Sequence, residues 1–428
     1  MRALIINPWI YDFAAYDLWA KPIGLFKLIY ILDRLGFVID YIDCLDRFHP
    51  RLTSWPKPSR YLTRYGDGKY LTEVVAKPAL YRDIPRRYKR YGLPIQIFDQ
   101  ILQEIEPPDI IFVNSGMTYW YLGPFEAIRR VRSRFSAPIV LGGVYAILCP
   151  EHAEENSGAD IVFTGAEQEL IEMINQVLGK RFPPVEITGL DYYRIGYRYY
   201  AELRYITLRT SQGCPFRCPY CGWYRISPHL HREDPEAVVD LITEFHQKGI
   251  RDFAFYDDAL LYRSEEHFLP IFAKLLEMGI RARFHSPNGL YFEDITEPVA
   301  EVMYQARFIK PRIGFEDLRL RSGDGLIQAV ERLTRAGYRR EEIYANILVG
   351  LPDQTVADVY RTIEFIQELG IGIHLEEYSP VPGSATFTAA GLSRSDDPLR
   401  HNNTAYLLTH PIFGPQIDRI KQSIRRTT

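Results

Sequence analysis

Three of the chain's five cysteines lie within one short stretch, residues 207–224, with the sequence TLRTSQGCPFRCPYCGWY. Cys214, Cys218 and Cys221 follow the spacing CxxxCxxC. The glycines and prolines between and beside them disfavour regular structure. Because an apolar segment directly precedes them, the three thiols are predicted to lie on a loop after a strand, within reach of one metal centre.

Two kinds of metal centre suit clustered thiols. Structural zinc takes four ligands, often as two CxxC pairs, and no second pair or His pair follows here at zinc spacing. A cubane iron–sulfur cluster has one ligand per iron, so three thiolates leave the fourth iron open. The spacing favours iron–sulfur, and a zinc knuckle stays an alternative. Five cysteines without a recognisable signal peptide predict reduced thiols and a cytoplasmic protein.

The elements that must position the thiols follow from residue 205 onward. Apolar strands alternate with helical segments, which is typical of parallel βα units. The predicted strands cover 205–208, 252–256, 281–285, 310–315, 343–349 and 372–377. Six strands indicate a partial (β/α)6 barrel over 196–390 rather than a closed eight-stranded one. Polar residues or glycines follow most of these strands, at the edge where such barrels carry their chemistry. The candidate site residues at this edge are Asp257, Asp258, Asn288, Glu316, Gly350 and Pro352.

Residues 1–195 show a second α/β pattern. Strands near 3–8, 38–43, 109–114, 138–141 and 160–164 alternate with helices, which predicts a doubly wound, Rossmann-like parallel sheet. Ligands of such sheets bind at the carboxyl ends of the strands, where glycines let a backbone approach a bulky group. The residues at these ends include Ser115, Gly116, Thr118, Gly142, Gly143 and Gly165.

Three segments do not fit the alternation. Residues 47–95 are basic and rich in tyrosine, and two interpretations stay open: a solvated excursion, or a lid that holds an anionic ligand through Arg86, Arg87, Lys89 or Arg90. Residues 183–204 have no clear periodicity and are predicted to be a linker. Residues 391–428 form a tail in which 397–404 fold over the barrel mouth, with a structural role for His401 and a frayed helix at the end.

The cysteine spacing, with Tyr220 before the last cysteine, closely resembles the signature of the radical S-adenosylmethionine (SAM) superfamily. The resemblance implies that the three cysteines hold a [4Fe-4S] cluster whose open iron binds SAM. Asp257 and Asp258 stand where many members have GGE, which contacts the SAM amino group. Asn288 resembles a methionine or ribose contact, Glu316 a ribose contact, and Gly350 with Pro352 the segment that packs on adenine.

Most of residues 1–180 resembles the cobalamin-binding domain of one branch of that superfamily, through the motifs INP, PIGL, SGMT, LGGVYA and TGAEQE. This implies a tentative cobalamin site at the six residues named above. The DxHxxG signature that supplies a histidine to cobalt is absent. A Rossmann-like domain without cofactor that only shapes the substrate cleft is the alternative.

The resemblance implies an enzyme that cleaves SAM reductively to a 5'-deoxyadenosyl radical, abstracts hydrogen from an unactivated carbon, and transfers a methyl group with cobalamin. A rearrangement or cyclisation without cobalamin is the runner-up, and a non-catalytic iron–sulfur or zinc scaffold is the rival from another class. An electron donor such as flavodoxin or ferredoxin is an expected partner. A net charge of −3 argues against nucleic acid, and no apolar run could span a membrane. The substrate is not indicated.

Overall fold

The chain divides into two compact units in the computed structural model, which describes residues 1–425. The first unit contains Met1–Leu203 and Arg394–His401, and the second contains Arg204–Ser393 and the described residues from Asn402 onward. The sequence placed the boundary at 195/196, whereas the first unit continues to Leu203. Residues 426–428 of the predicted tail, which include one arginine of the expected frayed end, lie outside the described part of the chain.

The first unit is built on a five-stranded parallel sheet, as predicted. Its strands are apolar and buried because helices cover both faces of such a sheet. In spatial order they are Val38–Asp43, Arg2–Asn7, Ile110–Ser115, Ile139–Gly143 and Ile161–Val162. The strand order reverses between the second and third of these, and this switch point is where doubly wound sheets bind ligands.

The helices of the first unit follow the predicted apolar periodicity, with one correction. Residues 183–204 are not a plain linker, because 191–197 form a helix whose tyrosines pack on Phe26, with Tyr197 at a ring-centroid distance of 4.9 Å. The helices are Ile23–Arg34, Ile95–Glu104, Leu122–Arg132, Val144–Leu148, Pro150–Asn156, Glu167–Leu178 and Asp191–Tyr197, with 3-10 turns at Pro50–Leu52, Ala79–Tyr81 and Thr118–Trp120.

The basic, tyrosine-rich insertion is partly folded into the first unit, although most of residues 51–60 are exposed. Lys89–Tyr91 pairs antiparallel with Ile10–Asp12 and Thr72–Val74 to form a small sheet. Tyr81 and Tyr88 of the insertion are buried, and Phe13 contacts their rings at centroid distances of 4.9 and 5.2 Å. Among the four predicted lid cations, Arg86 and Arg87 are exposed, Lys89 is partly buried, and Arg90 is buried and paired with Glu73.

The second unit has the predicted parallel strands, arranged as a partial barrel. Its third strand is split: Arg283–His285 pairs with the second strand, while Leu290–Tyr291 pairs with the fourth. A bridge between Phe284 and Phe308 joins the two halves. The strands are Ile206–Leu208, Asp252–Phe255, Arg283–His285, Leu290–Tyr291, Arg312–Glu316, Tyr344–Val349 and Gly372–Glu377, with a short hairpin of Ser211–Gln212 and His231–Arg232.

Helices cover the outer face of the partial barrel, and several begin at side-chain caps. Asp234 accepts from Glu236 N before a first-turn proline, and Thr355 forms a capping box with Asp358. The helices are Trp223–Ile226, Pro235–Gln247, Phe268–Glu277, Glu297–Gln305, Gly323–Ala336, Val356–Glu368, Thr386–Ala389, Asn403–Thr409 and Ile417–Arg425, with 3-10 turns at Ser264–Glu266, Phe292–Asp294 and Arg340–Glu342.

The predicted tail is divided between the two units. Pro398–His401 forms a 3-10 turn in the first unit, where Asp397 accepts a hydrogen bond from Tyr121. The helices after Asn402 pack instead on the last barrel strand, where Glu377 accepts from Thr404 and Lys421. Within residues 1–425, every helix is too short or too polar to cross a membrane.

Candidate functional site

The three clustered cysteines lie on the loop between the strand Ile206–Leu208 and the helix Trp223–Ile226. All are free thiols and partly exposed. Cys221 N donates to Cys218 O at 3.1 Å, which makes a tight turn, and Trp223 N donates to Cys221 Sγ at 3.4 Å. Burial, with a smaller contribution from the neighbouring Cys218 and Cys221 thiols, raises the pKa of Cys214 to about 11. The thiols therefore interact with one another electrostatically.

Among residues 1–425, no three His, Cys, Asp or Glu side chains converge closely enough to hold one metal ion. A cubane places each thiolate on a different iron, so thiols that share one cluster do not have to converge on a single ion.

A buried carboxylate, Asp257, holds the start of the cysteine loop. Its Oδ1 accepts from the backbone N and the hydroxyl of Thr210, at 3.0 and 2.8 Å, and from those of Ser211, at 2.6 and 2.8 Å. The side chain is buried, which raises its pKa to about 6 despite these four donors. Asp257 thus fixes the loop base from the neighbouring strand, and its hydrogen-bonding oxygen is fully engaged.

Asp258 reaches the loop closer to the thiols. Its Oδ2 accepts from Gly213 N at 2.8 Å, one residue before Cys214. Gly213 has a φ of +92°, and an added Cβ would collide with the His229 carbonyl, so only glycine suits this turn. Asn288, at the end of the third strand, donates to the Asp257 carbonyl at 3.2 Å. The structure therefore brings Asp257, Asp258 and Asn288 to one edge of the barrel, as the sequence predicted.

Glu316 ends the fourth strand in an unusual backbone conformation. Its φ is +65°, and the strand register shifts between Gly314 and Glu316. A left-handed backbone is rare for glutamate and costs on the order of 1–2 kcal/mol. Such strain is typical of functional positions, and here the bulge turns the carboxylate towards Arg321, whose Nε donates to Oε2 at 2.9 Å.

Arg321 was missed by sequence reasoning, although it connects most of the predicted site. It pairs with Glu316 and also donates to Cys218 Sγ at 3.1 Å and to the Tyr220 hydroxyl at 3.2 Å. The sequence offers two arginines on this loop, and periodicity does not distinguish them. Arg319 instead pairs with Asp317 and Asp353, away from the thiols.

The remaining predicted SAM contacts lie on the same edge. Burial and the nearby Glu316 carboxylate raise the pKa of Tyr220, so its hydroxyl stays protonated. Gly350 has a φ of +96°, and its N donates to Gln354 Oε1 at 2.9 Å, a support that sequence reasoning also missed. A Cβ at Gly350 would lie 2.8 Å from Leu407, and Pro352 follows in the turn.

The carboxyl edge of the first unit is different, because its polar groups bind one another. Asn7 donates to Asp43 at 2.7 Å and accepts from Asn114 at 3.0 Å. The Tyr200 hydroxyl donates to the other Asp43 oxygen at 2.6 Å. Asn7 and Asp43 are buried. The three strands at the switch point are therefore tied together by an internal network.

The predicted cobalamin residues lie at this same edge. The Ser115 hydroxyl donates to Gly142 O at 2.7 Å, and Thr118 is paired with His401 at 3.0 Å, so both hydroxyls have internal partners. Gly143 has a φ of +100° and approaches the backbone of Ser115 closely. A Cβ at Gly142 would only touch the Phe163 carbonyl, at 3.8 Å, whereas Trp120 lies next to Gly116 and the Glu169 side chain next to Gly165.

A comparison with protein families matches residues 208–366 to the model described as the Radical SAM superfamily. The match covers the cysteine loop, the last residue of the first predicted strand and the next four predicted strands, so the resemblance of this part of the chain to the superfamily is confirmed.

Curated relatives and a solved structure extend the comparison. A threonylcarbamoyladenosine tRNA methylthiotransferase from Thermotoga maritima is 24% identical over 60% of this chain and 63% of its own length. A ribosomal protein uS12 methylthiotransferase from Hydrogenobaculum sp. is 19% identical over 47% of this chain and 54% of its own length. This chain therefore spans less than two thirds of these relatives.

A solved structure of the radical SAM methyltransferase TsrM from Kitasatospora setae, with cobalamin and a [4Fe-4S] cluster bound, matches with a TM-score of 0.65 at 15% identity. The match covers 100% of this chain and 91% of that one. The predicted fold, a Rossmann-like domain of cobalamin-binding type followed by a partial radical SAM barrel, is confirmed.

Proposed function

We propose that this chain is a radical SAM enzyme in which Cys214, Cys218 and Cys221 hold a [4Fe-4S] cluster. The observation that carries the proposal is the arrangement of three half-exposed thiols beside the Arg321–Glu316 ion pair. The thiols fit a cubane because they interact with one another, form no disulfide and lie on a tight turn. When bound, the cluster supplies the electron that breaks the sulfonium bond of SAM.

The residues around the thiols have charges that suit the two ends of SAM. Arg321 is a forked cation that contacts Cys218, which suits a carboxylate bound at the adjacent iron. Asp258 is an acceptor that contacts the cysteine loop at Gly213, which suits the amino group. Glu316 suits the ribose hydroxyls, and the turn of Gly350 and Pro352 would pack on adenine. Asn288 and Tyr220 complete the proposed SAM site.

Asp257 takes a different role in this proposal from the one that the sequence suggested. Because its Oδ1 accepts four hydrogen bonds from Thr210 and Ser211, it positions the cysteine loop, while its buried Oδ2 has no hydrogen-bond partner among the described residues. An external one-electron donor, such as flavodoxin or ferredoxin, would reduce the loaded protein.

The proposed reaction is methyl transfer with cobalamin held by the first unit. The fold shared with TsrM supports this, as do Gly142 and Gly143 at a strand end. Since the Ser115 and Thr118 hydroxyls have internal partners, cobalamin would be held mainly through backbone groups near Gly116, Gly142, Gly143 and Gly165. The loop after the first strand carries no histidine, so cobalt would have no histidine ligand from it.

SAM chemistry without cobalamin is the second candidate. The internal network of Asn7, Asp43 and Asn114 favours it, because these groups at the switch point already satisfy one another. In that case the first unit would only shape the environment of the substrate.

Anaerobic reconstitution with iron, sulfide and cobalamin tests these proposals. We expect absorbance near about 400 nm from the cluster, and formation of 5'-deoxyadenosine or S-adenosylhomocysteine from SAM after reduction. A colourless protein containing one zinc would contradict the proposal. Cobalamin that co-purifies after gel filtration would favour methyl transfer, and its absence would favour the second candidate.

A further inference from the structure

The inner face of the four-strand half of the barrel is polar. Closed (β/α)8 barrels fill this face with layers of Val, Ile and Leu. Here alternate residues of three neighbouring strands place Gly314, Asn346 and His374 in one layer, with Arg312 in the layer before it and Glu376 in the layer after it. The intervening residues of the central strand, such as Ala345 and Ile347, are buried against the helices. The inner face is therefore not built as a packed core.

Two of these side chains form an accessible pair. His374 Nδ1 lies 2.8 Å from Glu376 Oε1, and the two side chains are 37% and 46% exposed. Burial opposes ionisation of Glu376, but the adjacent His374 ring and the charge of Arg312 lower its pKa overall. Glu376 is thus a carboxylate that solvent, or a ligand, can reach.

Asn346 adds an unpaired acceptor to the same face. Its Oδ1 is buried and has no hydrogen-bond partner among the described residues. Gly289 lies beside the Asn346 side chain and carries no side chain of its own, and Gly314, which pairs with Asn346 across the strands, has the Glu316 carboxylate next to it. A buried amide oxygen without a partner costs about 1–3 kcal/mol, and a ligand that donates a hydrogen bond would recover this.

We propose that Asn346, His374 and Glu376 form the substrate subsite, and that it takes a small molecule carrying a protonated amine. This rests on the proposed radical SAM function, because it assigns the substrate side of the same barrel. The Glu376 carboxylate pairs with the ammonium group and the Asn346 carbonyl accepts its second hydrogen. A hydrocarbon lipid is disfavoured, since it would remove both acceptors from water without replacing their partners.

The test compares Glu376→Gln with Glu377→Gln, its neighbour on the opposite face, which accepts from Thr404 at 2.8 Å and Lys421 at 2.5 Å. Each reconstituted full-length protein is mixed with the low-molecular-mass fraction of a cell extract and rapidly desalted. Retained compounds are then identified by mass spectrometry before and after amine acylation. Wild type and Glu377→Gln should retain a compound that acylation shifts in mass. Glu376→Gln should retain it about 10-fold less, as expected for a lost charge-assisted hydrogen bond.

The retention measurement does not depend on SAM cleavage. A compound shifted by acylation that depends on Glu376 but receives no label from SAM would support the subsite and contradict the proposed methyl transfer. Retention that is equal in Glu376→Gln, a retained compound without an amine, or no retention by wild type would overturn the subsite. Equal iron content in the three proteins verifies that the substitutions leave the fold intact.

Discussion

The two units end their parallel strands in opposite ways. At the edge of the first unit, Asn7, Asp43 and Asn114 satisfy one another in a buried network. At the edge of the barrel, three thiols stay partly exposed and an arginine and a glutamate lie beside them. The carboxyl ends of the strands therefore carry polar groups that bind one another in the first unit, and groups that a ligand can reach in the second.

This difference separates groups that stabilise the fold from groups that await a ligand. Buried polar groups must be paired, and in the first unit the partners come from the chain itself. In the barrel, the backbone of Glu316 is strained and the pKa of the Cys214 thiol is raised. Neither feature stabilises the fold. Substitutions at the barrel edge should therefore affect ligands, and those at the other edge should affect folding.

The largest effect is expected for Cys218→Ser. Loss of one thiolate removes the only protein ligand to one iron, so iron content and SAM cleavage should fall by at least about 100-fold. Cys44→Ser is the matched control because Cys44 is buried in the first unit, where burial raises its pKa. Iron assays and deoxyadenosine formation are the measurements. Equal loss of iron in both variants would contradict the distinction between the two edges.

Asp257→Ala should give the next largest effect. Four donors on Thr210 and Ser211 would lose their acceptor, which destabilises the loop base by about 2–4 kcal/mol and lowers iron content. Asp257→Asn keeps an acceptor and should restore most of the iron. Asp43→Asn, in the network of the first unit, should lower Tm but leave iron per chain unchanged. If Asp257→Ala binds iron normally and only weakens SAM binding, Asp257 is a SAM contact instead.

Arg321→Ala should weaken SAM binding by about 10- to 100-fold through loss of a charged hydrogen-bond donor. Arg319→Ala is the control on the same loop, since Arg319 pairs with Asp317 and Asp353. Equilibrium binding of SAM to the reconstituted proteins gives the answer. Equal affinities of the two variants would remove Arg321 from the SAM site.

The smallest effect concerns acid stability in the first unit. Burial lowers the pKa of His401 from 6.5 to about 4. A histidine with a depressed folded-state pKa binds more protons when unfolded, so stability falls as pH drops from about 6.5 towards 4, by up to about 2–3 kcal/mol. His401→Gln should flatten this part of the Tm–pH profile. An unchanged profile would show that His401 does not titrate with folding.

The sequence predicted both folds and the thiol loop because strong apolar periodicity and three spaced cysteines report on local structure. It missed Arg321 because the bulge at Glu316 orients the loop that follows. That orientation, which the sequence does not show, decides whether Arg319 or Arg321 faces the thiols. It also treated 183–204 as a linker, since the helix there is stabilised by Phe26 contacts far away in sequence. The sequence could not distinguish the roles of the adjacent Asp257 and Asp258. Their roles depend on which carboxylate points to the base of the cysteine loop and which points to Gly213.

At Glu316 the left-handed backbone favours glycine, whereas the contact with Arg321 requires a carboxylate. Glycine would adopt this φ without strain, and a variant with glycine there should melt at a higher temperature, yet it would lack the carboxylate that faces Arg321. Thermostability screens of this protein would therefore enrich inactive variants at this position, which makes it a site where melting temperature is a misleading guide to a working enzyme.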